Sequence, residues 1–373
     1  MNETINKLQK SPLFNLSLSS KELFHSNFLY WVGKNYKKEF GELFSKYLIE
    51  VPAEKSVEVK REKDHIDLRL YYTNGQEILI ENKVKSIPYY GQLEKYSEKH
   101  CTNKNYILLS LTQPSFFENN NSIKINESLW HYLSYSDLQV MLNLLSLSIT
   151  DEYHQKIIDD YCIFISGLIE LNEYCDIKEG DLFDFHSIKT NKLYQDLIDL
   201  RLHDFYLKKK YELLSYQVFL KIKERGIDVI DFSTPLDWSK PKSITLGHGM
   251  TRSQGLMDLK YLICPNISLG IQIQGEHYRM VVEDRSGTNT ENIAKALDGT
   301  YWFNFSKSFP DMKVYPDKVK GFNEFGKTFI YKSIKLGTNI KVDDIIKIVL
   351  SDVESINLNY NQILDIFNKI VTK

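Results

Sequence analysis

The chain has 373 residues, 42% of them hydrophobic, which is apolar material enough for two ordinary cores. A formal net charge of -2 excludes a globally basic nucleic-acid-binding surface, so any contact with a polyanion must be local. The four cysteines form no CxxC pair and no zinc spacing with the nine histidines; the polar start MNETINKLQK lacks a signal-peptide core; and no apolar run reaches the roughly 18 residues of a membrane helix. The expectation is a cytoplasmic protein with free thiols and no membrane contact.

In chain order, residues 20–36 predict a helix, with Leu23, Phe24, Phe28 and Trp31 at helical spacing and Ser19 or Ser20 able to cap it. A second helix is predicted over about 38–49, then alternating strands over 54–61 and 65–72. Asn74-Gly75 is a strong hairpin turn, and 77–85 reads as the returning strand. Pro88 introduces a helix over about 89–100, and the apolar run 105–111 suits a buried central strand. A polar loop (NNNS, 119–122) precedes a strand-then-helix pattern through Leu145, and a longer helix covers about 151–172.

The acidic, irregular segment 173–185 predicts a boundary, dividing a domain over 1–172 from a second, α+β domain over 186–373. The second begins with helices over about 189–225 and continues with strands at 227–232, 243–248, 256–264, 268–275 and 277–284. Helical pattern returns near 290–300 and dominates 342–371.

Chemistry concentrates on the hairpin 65–85. Asp67 points away from Ile66, Leu68 and Leu70, while Glu81 and Lys83 share the face opposite Ile80. The turn at Asn74-Gly75 brings Asp67 and Glu81 to the same end, facing alike. Two carboxylates held together repel and lose solvation, and a divalent cation resolves both problems. Mg²⁺ favours one or two carboxylates, completed by waters and phosphate oxygens; the carbonyl of Asn82 is a further candidate ligand. Lys83 is placed to orient or help deprotonate a water, or to stabilise charge on a phosphorane. Gln92 and Tyr96 share a face of the following helix. Lys85, Lys95 and Lys99 read as solvated lysines, and Ser26, His25 and His65 have no nucleophile elbow to support a triad.

Asp67, then Glu81-Asn82-Lys83 fourteen residues on, then a helix with Gln92-x-x-x-Tyr96 resembles the PD-(D/E)xK nuclease superfamily. The Gln-x-x-x-Tyr helix is similar to that of its RecB-like branch. Glu22, in Glu22-Leu23-Phe24-His25-Ser26, matches the position from which a first helix adds a metal-binding acid. Ile66 stands where the pattern has Pro. The resemblance covers roughly 15–145 and implies an α/β, restriction-endonuclease-like αβββαβ core and a Mg²⁺- or Mn²⁺-dependent nuclease acting on DNA. In that reading Glu22, Asp67, Glu81 and Asn82 hold metal, and Asp67, Glu81, Lys83, Gln92 and Tyr96 serve catalysis. It is also similar to uncharacterised bacterial proteins of the superfamily, some linked to phage defence. The rival readings are a non-cleaving nucleic-acid-binding module and a regulatory interaction protein on the same fold.

In the second half no catalytic signature stands out. Residues 307–341 carry eight lysines against Asp311, Asp317 and Glu324, interleaved with aromatics, which suits either a nucleic-acid backbone or a solvated surface over an aromatic core. Substrate recognition, partner docking and homo-oligomerisation all stay open for it, a defence-system partner included.

Overall fold

Alternation broken by a tight turn is what makes a hairpin, and the first half is built outward from one. The computed structural model describes all residues except 18–21, 64, 100–103, 118–119, 179, 186–191, 231, 233–235, 310–320, 338 and 372–373. The cap candidates Ser19 and Ser20, loop residue Asn119 and Cys101 therefore lie outside the described residues; Cys162 and Cys264 are free thiols, and Cys175 is buried. Two compact units are formed, Met1–Cys175 with Gln195–Tyr206, and Asp176–Tyr194 with Leu207–Lys373. Among the described residues no helix is long and apolar enough to cross a membrane.

The first unit opens with helices α1 (Asn2–Lys10) and α2 (Pro12–Ser17), which the sequence reading passed over. They are short, and what orders them is tertiary. Phe14 packs edge-on against Phe164, with centroids 5.2 Å apart, and Lys7 Nζ meets Glu170 Oε1 at 2.6 Å. Helices α3 (Glu22–Asn35) and α4 (Lys37–Phe44) follow, the second ending in a 3-10 turn over Ser45–Tyr47. A Cβ on Gly41 would lie 1.8 Å from the carbonyl oxygen of Lys55, so only glycine lets α4 seat against the chain entering the sheet.

Strands β1 (Val57–Lys63), β2 (Ile66–Tyr72) and β3 (Glu77–Lys83) form an antiparallel meander. The β2–β3 turn puts Gly75 at φ +80°. Helix α5 (Tyr90–Lys99) then crosses over to β4 (Lys104–Ser110), which runs parallel to β3 and is buried at every residue after Lys104. Strands β5 (Ser122–Ile125) and β6 (Ser128–Ser134) complete a six-stranded sheet of order β1-β2-β3-β4-β6-β5. Helices α6 (Tyr135–Ser148) and α7 (Glu152–Tyr174) close the N-terminal run. The segment from α3 to β4 is thus an αβββαβ core.

The predicted helical stretch 189–225 resolves into α8 (Lys192–Asp199) and α9 (His203–Glu224). The second unit carries β7 (Ile244–Thr251), β8 (Gln254–Cys264), β9 (Ile267–Gln274) and β10 (His277–Asp284), an antiparallel meander. Helices α10 (Thr290–Leu297) and α11 (Phe305–Ser308) follow, then β11 (Asn323–Phe325), β12 (Phe329–Lys335), α12 (Val342–Leu358) and α13 (Tyr360–Val371). The sheet order is β11-β12-β10-β9-β8-β7. One face joins Met257, Leu259, Ile271, Ile273, Met280 and Val282 to the helices in a single core.

The strand expected at 227–232 is absent among the described residues. Ile230 donates one bond to Ile244 O, too few for a ladder. The lysine-rich stretch instead holds β11 and β12, and its charge is partly spent inside the unit. Lys332 is buried on Asp298 at 2.7 Å, and Lys335 meets Glu276 at 2.6 Å. Lys313, Lys318, Lys320, Asp311, Asp317 and Tyr315 lie outside the described residues.

Candidate active site

The β2–β3 register runs from Tyr71↔Glu77 to Leu68↔Ile80. Continued by one residue, it sets Asp67 opposite Glu81, where the two strands part. Period-two alternation puts both side chains on one face, and Asp67 Oδ2 accepts the Asn82 backbone N–H at 2.8 Å. Burial raises the Asp67 pKa, opposed by that N–H and by the charge of Lys83.

Glu81 is 2% exposed. Its Oε1 takes the Lys83 ammonium at 2.7 Å and the Gln92 side-chain amide at 2.7 Å. Its Oε2 is buried with no hydrogen-bond partner among the described residues, an arrangement that costs desolvation with no return. Burial pushes the Glu81 carboxyl up to about 7; Lys83 opposes, while Asp67 and Glu22 add to the rise. Burial alone would lower the Lys83 pKa, but Glu81, Asp67 and Glu22 outweigh it and the pKa is raised, so Lys83 remains an ammonium through neutral pH.

Helix α5 delivers Gln92 and Tyr96 from one face, as residues four apart must be. Gln92 Nε2 also donates to the Tyr96 hydroxyl at 3.0 Å. Five of the residues singled out from sequence (Asp67, Glu81, Lys83, Gln92 and Tyr96) therefore form one connected group, with Asn82 threaded through it.

Glu22, the first residue of α3, stands within electrostatic range of Asp67, Glu81 and Lys83. Its Oε1, however, is engaged by Ser86, accepting the N–H at 3.0 Å and the hydroxyl at 2.6 Å. Burial would raise its pKa, but the Ser86 bonds and Lys83 prevail and hold it low. Among the described residues no three His, Cys, Asp or Glu side chains stand close enough together to hold a metal ion. The donor set that does exist is a pair, Asp67 and Glu81, with the Asn82 carbonyl beside it. That suits a magnesium-like ion, which takes one or two carboxylates and fills its other positions with water and phosphate. The unpartnered Oε2 of Glu81 is the observation that fits: a buried acceptor with nothing yet to accept from.

Three residues that sequence reasoning did not single out for the site support it. Ser86 holds Glu22. The Tyr135 hydroxyl donates to Asn82 Oδ1 at 2.7 Å, and Asn82 Nδ2 donates to Ser26 Oγ at 3.0 Å, fastening α3 and α6 to β3. Ser26 lies one helical turn from Glu22, a spacing that offered a clue; Ser86 and Tyr135 meet the site only through the fold.

His25 is structural. It is buried beside Tyr161, with Nδ1 2.9 Å from the hydroxyl, and burial, then Lys85, lowers its pKa to about 3, so the ring is neutral. His65 is exposed, at φ +70° in the turn before β2. Lys85 Nζ donates to the Arg201 carbonyl at 3.2 Å, and Lys95 is exposed.

No curated protein and no solved structure matches the chain. Residues 13–162 match the family described as the PD-(D/E)XK nuclease superfamily, a span that contains the whole αβββαβ core and every residue of the group around Glu81. The first unit of this chain thus contains a segment, residues 13–162, that matches the PD-(D/E)XK nuclease superfamily.

Proposed function

We propose that the first unit is a divalent-cation-dependent nuclease that hydrolyses DNA phosphodiester bonds, with Asp67, Glu81 and the Asn82 carbonyl holding the cation. The observation that carries this reading is the buried Oε2 of Glu81, unpartnered among the described residues, on a carboxyl within electrostatic range of Asp67. Charge supports it as well. Asp67, Glu81 and Glu22 set three carboxyls against the single ammonium of Lys83, so a polyanion has no reason to approach until positive charge is added. A bound Mg²⁺ or Mn²⁺ would supply that charge and polarise the scissile phosphate.

The chain's own groups do the positioning. Gln92 and Lys83 both hold Glu81 Oε1, which fixes the carboxylate and leaves Oε2 directed elsewhere. Lys83 keeps its proton, so it serves as a fixed cation that stabilises charge building on the phosphate oxygens rather than as a general base. Tyr96, bonded through Gln92, is a hydroxyl donor at the same edge for a non-bridging oxygen.

The test is cleavage of plasmid and linear DNA by the purified chain. We expect cutting with Mg²⁺ or Mn²⁺, none in EDTA, and losses of at least about 100-fold for Asp67→Ala and Lys83→Ala. Undiminished cutting by either variant sinks the reading. Tight, metal-independent DNA binding with no cleavage would replace it with a binding module, and preferential cutting of RNA would correct the substrate. A setting in phage defence rests on the resemblance alone; it requires that phage plate less well on cells carrying the wild-type gene than on cells carrying Lys83→Ala.

A further inference from the structure

The face of the second sheet turned away from its core is polar and hollowed. A cavity of about 280 Å³ opens there, lined by Gln272 and Gln274 of β9, Arg279 of β10, Tyr331 of β12, Phe325 of β11 and Arg252 of the β7–β8 turn. Register explains the convergence: Arg279 lies opposite Gln272, and Gln274 opposite Leu256, across adjacent strands. The volume falls just below the roughly 300–1,000 Å³ of small-molecule sites, room for one flat group and not for a duplex.

Among the described residues, two cations in this cavity have no acid partner. Arg279 is half-buried, its Nε is buried without a hydrogen bond, and its guanidinium lies over the Tyr331 ring, 4.7 Å from the centroid. Arg252 lies 5.7 Å from the centroid of Phe325, a ring that is 66% exposed. Burial lowers the Arg279 pKa; Tyr331 opposes the fall, and the nearby Arg252 adds a smaller contribution to it. Gln272 donates to Asp258 at 3.1 Å and Gln274 to the Thr251 carbonyl at 3.3 Å; among the described residues nothing donates to either amide oxygen.

The turn that presents Arg252 is itself unfavourable. Thr251 pairs with Gln254, so Arg252 and Ser253 form a two-residue hairpin loop, and both have positive φ, +50° and +59°. Asn-Gly is the sequence such a loop prefers. Holding Arg and Ser there costs stability, which makes sense when the side chain is needed where the turn puts it.

We propose that this cavity binds one nucleotide unit of a single-stranded nucleic acid, with its phosphodiester on Arg252 and Arg279, its base against Phe325, and its base edge read by Gln272 and Gln274. Charge selects a strand over a free nucleotide. Two guanidinium groups, with the carboxylate of Glu324 on the rim, leave a net charge near +1, matched to one phosphodiester and too little for a nucleoside polyphosphate. A base reaches an aromatic ring and an amide only when it is out of a duplex stack. The proposal rests on the nuclease reading of the first unit only in taking nucleic acid as the ligand.

The experiment uses the full chain in EDTA with a fluorescent oligothymidylate of about 12 nucleotides, a typical site length for single-strand binders. Anisotropy should show binding that Phe325→Ala and Arg252→Asn each weaken about tenfold, the scale of one lost stacking or phosphate contact. Arg252→Asn should melt no lower than the wild type, since Asn tolerates positive φ better, so its loss of binding is not a loss of fold. Unlabelled dTMP and dTTP should fail to displace the strand at equal nucleotide concentration. Unchanged affinity in both variants, or displacement by dTTP, overturns the proposal. Failure of the nuclease reading looks different: a chain that binds through these residues and cuts nothing leaves this site standing. A chain that cuts DNA normally while neither substitution alters binding leaves the nuclease and removes the site.

Discussion

The carboxyl of Glu81 stores free energy that a cation can release. Its folded pKa, about 7, lies above the ordinary 4.5, so the folded protein holds this proton more tightly than the unfolded chain does. The stability this contributes is therefore complete below about pH 4.5 and is lost as pH rises through about 7, a span worth at most about 3 kcal/mol. Lys83 titrates far above this window. A divalent cation favours the ionised form, so the rise in melting temperature on adding Mg²⁺ or Mn²⁺ should grow between about pH 5 and 8. Glu81→Gln should abolish that gain and, in EDTA, melt higher than the wild type above about pH 7. Thermal melts across the range decide it, and a cation effect independent of pH would defeat the assignment. Asp67, Glu81 and Lys83 were legible in the sequence because alternation and one turn suffice to bring them together. The Ser86 clamp on Glu22 was not, since no local period links a loop serine to the start of a helix sixty-four residues earlier.

A helix and a strand are held in register here by a single amide. Asn82 is fully buried on β3; it donates to Ser26 of α3 and accepts from Tyr135 at the start of α6. Tyr135→Phe would leave Asn82 Oδ1 buried without a donor, at a cost of about 1–3 kcal/mol, or several degrees of melting temperature. Because Asn82 lies between Glu81 and Lys83, cleavage should fall with stability, and more steeply than the small melting shift accounts for. Normal cleavage at a temperature where the variant is folded would show that Asn82 only packs. The elements themselves were readable where one period governs them: Gln92 and Tyr96 share a face of α5, and the apolar run 105–111 became the central strand β4. Local pattern misled at 227–232, where among the described residues β-type composition met no partner strand beyond one bond to Ile244. It was silent about α1 and α2, whose order comes from α7.

At the scale of the chain, the unit that carries the candidate site is not one continuous stretch. It takes in Gln195–Tyr206 as well as Met1–Cys175. A shift in composition such as that at 173–185 marks a change of local character, whereas a return of the chain leaves no mark a linear reading can see. The returning stretch is substantial: Leu197 and Leu202 are fully buried, Leu200 is 4% exposed, and the Arg201 carbonyl receives Lys85. Fully burying a leucine contributes about 1.5–3 kcal/mol, and an ordinary domain has only about 5–15 kcal/mol in all. Removing three such residues with their helix should leave little net stability. A fragment ending at Cys175 is therefore expected to aggregate or to melt without cooperativity and to cut no DNA, although it contains Asp67, Glu81, Lys83, Gln92 and Tyr96. Extending it to Tyr206 should restore part of a cooperative transition, read by circular dichroism at matched concentration. If the shorter fragment melts as sharply and as high as the longer one, the returning segment contributes nothing to this unit, and the site depends on the first 175 residues alone.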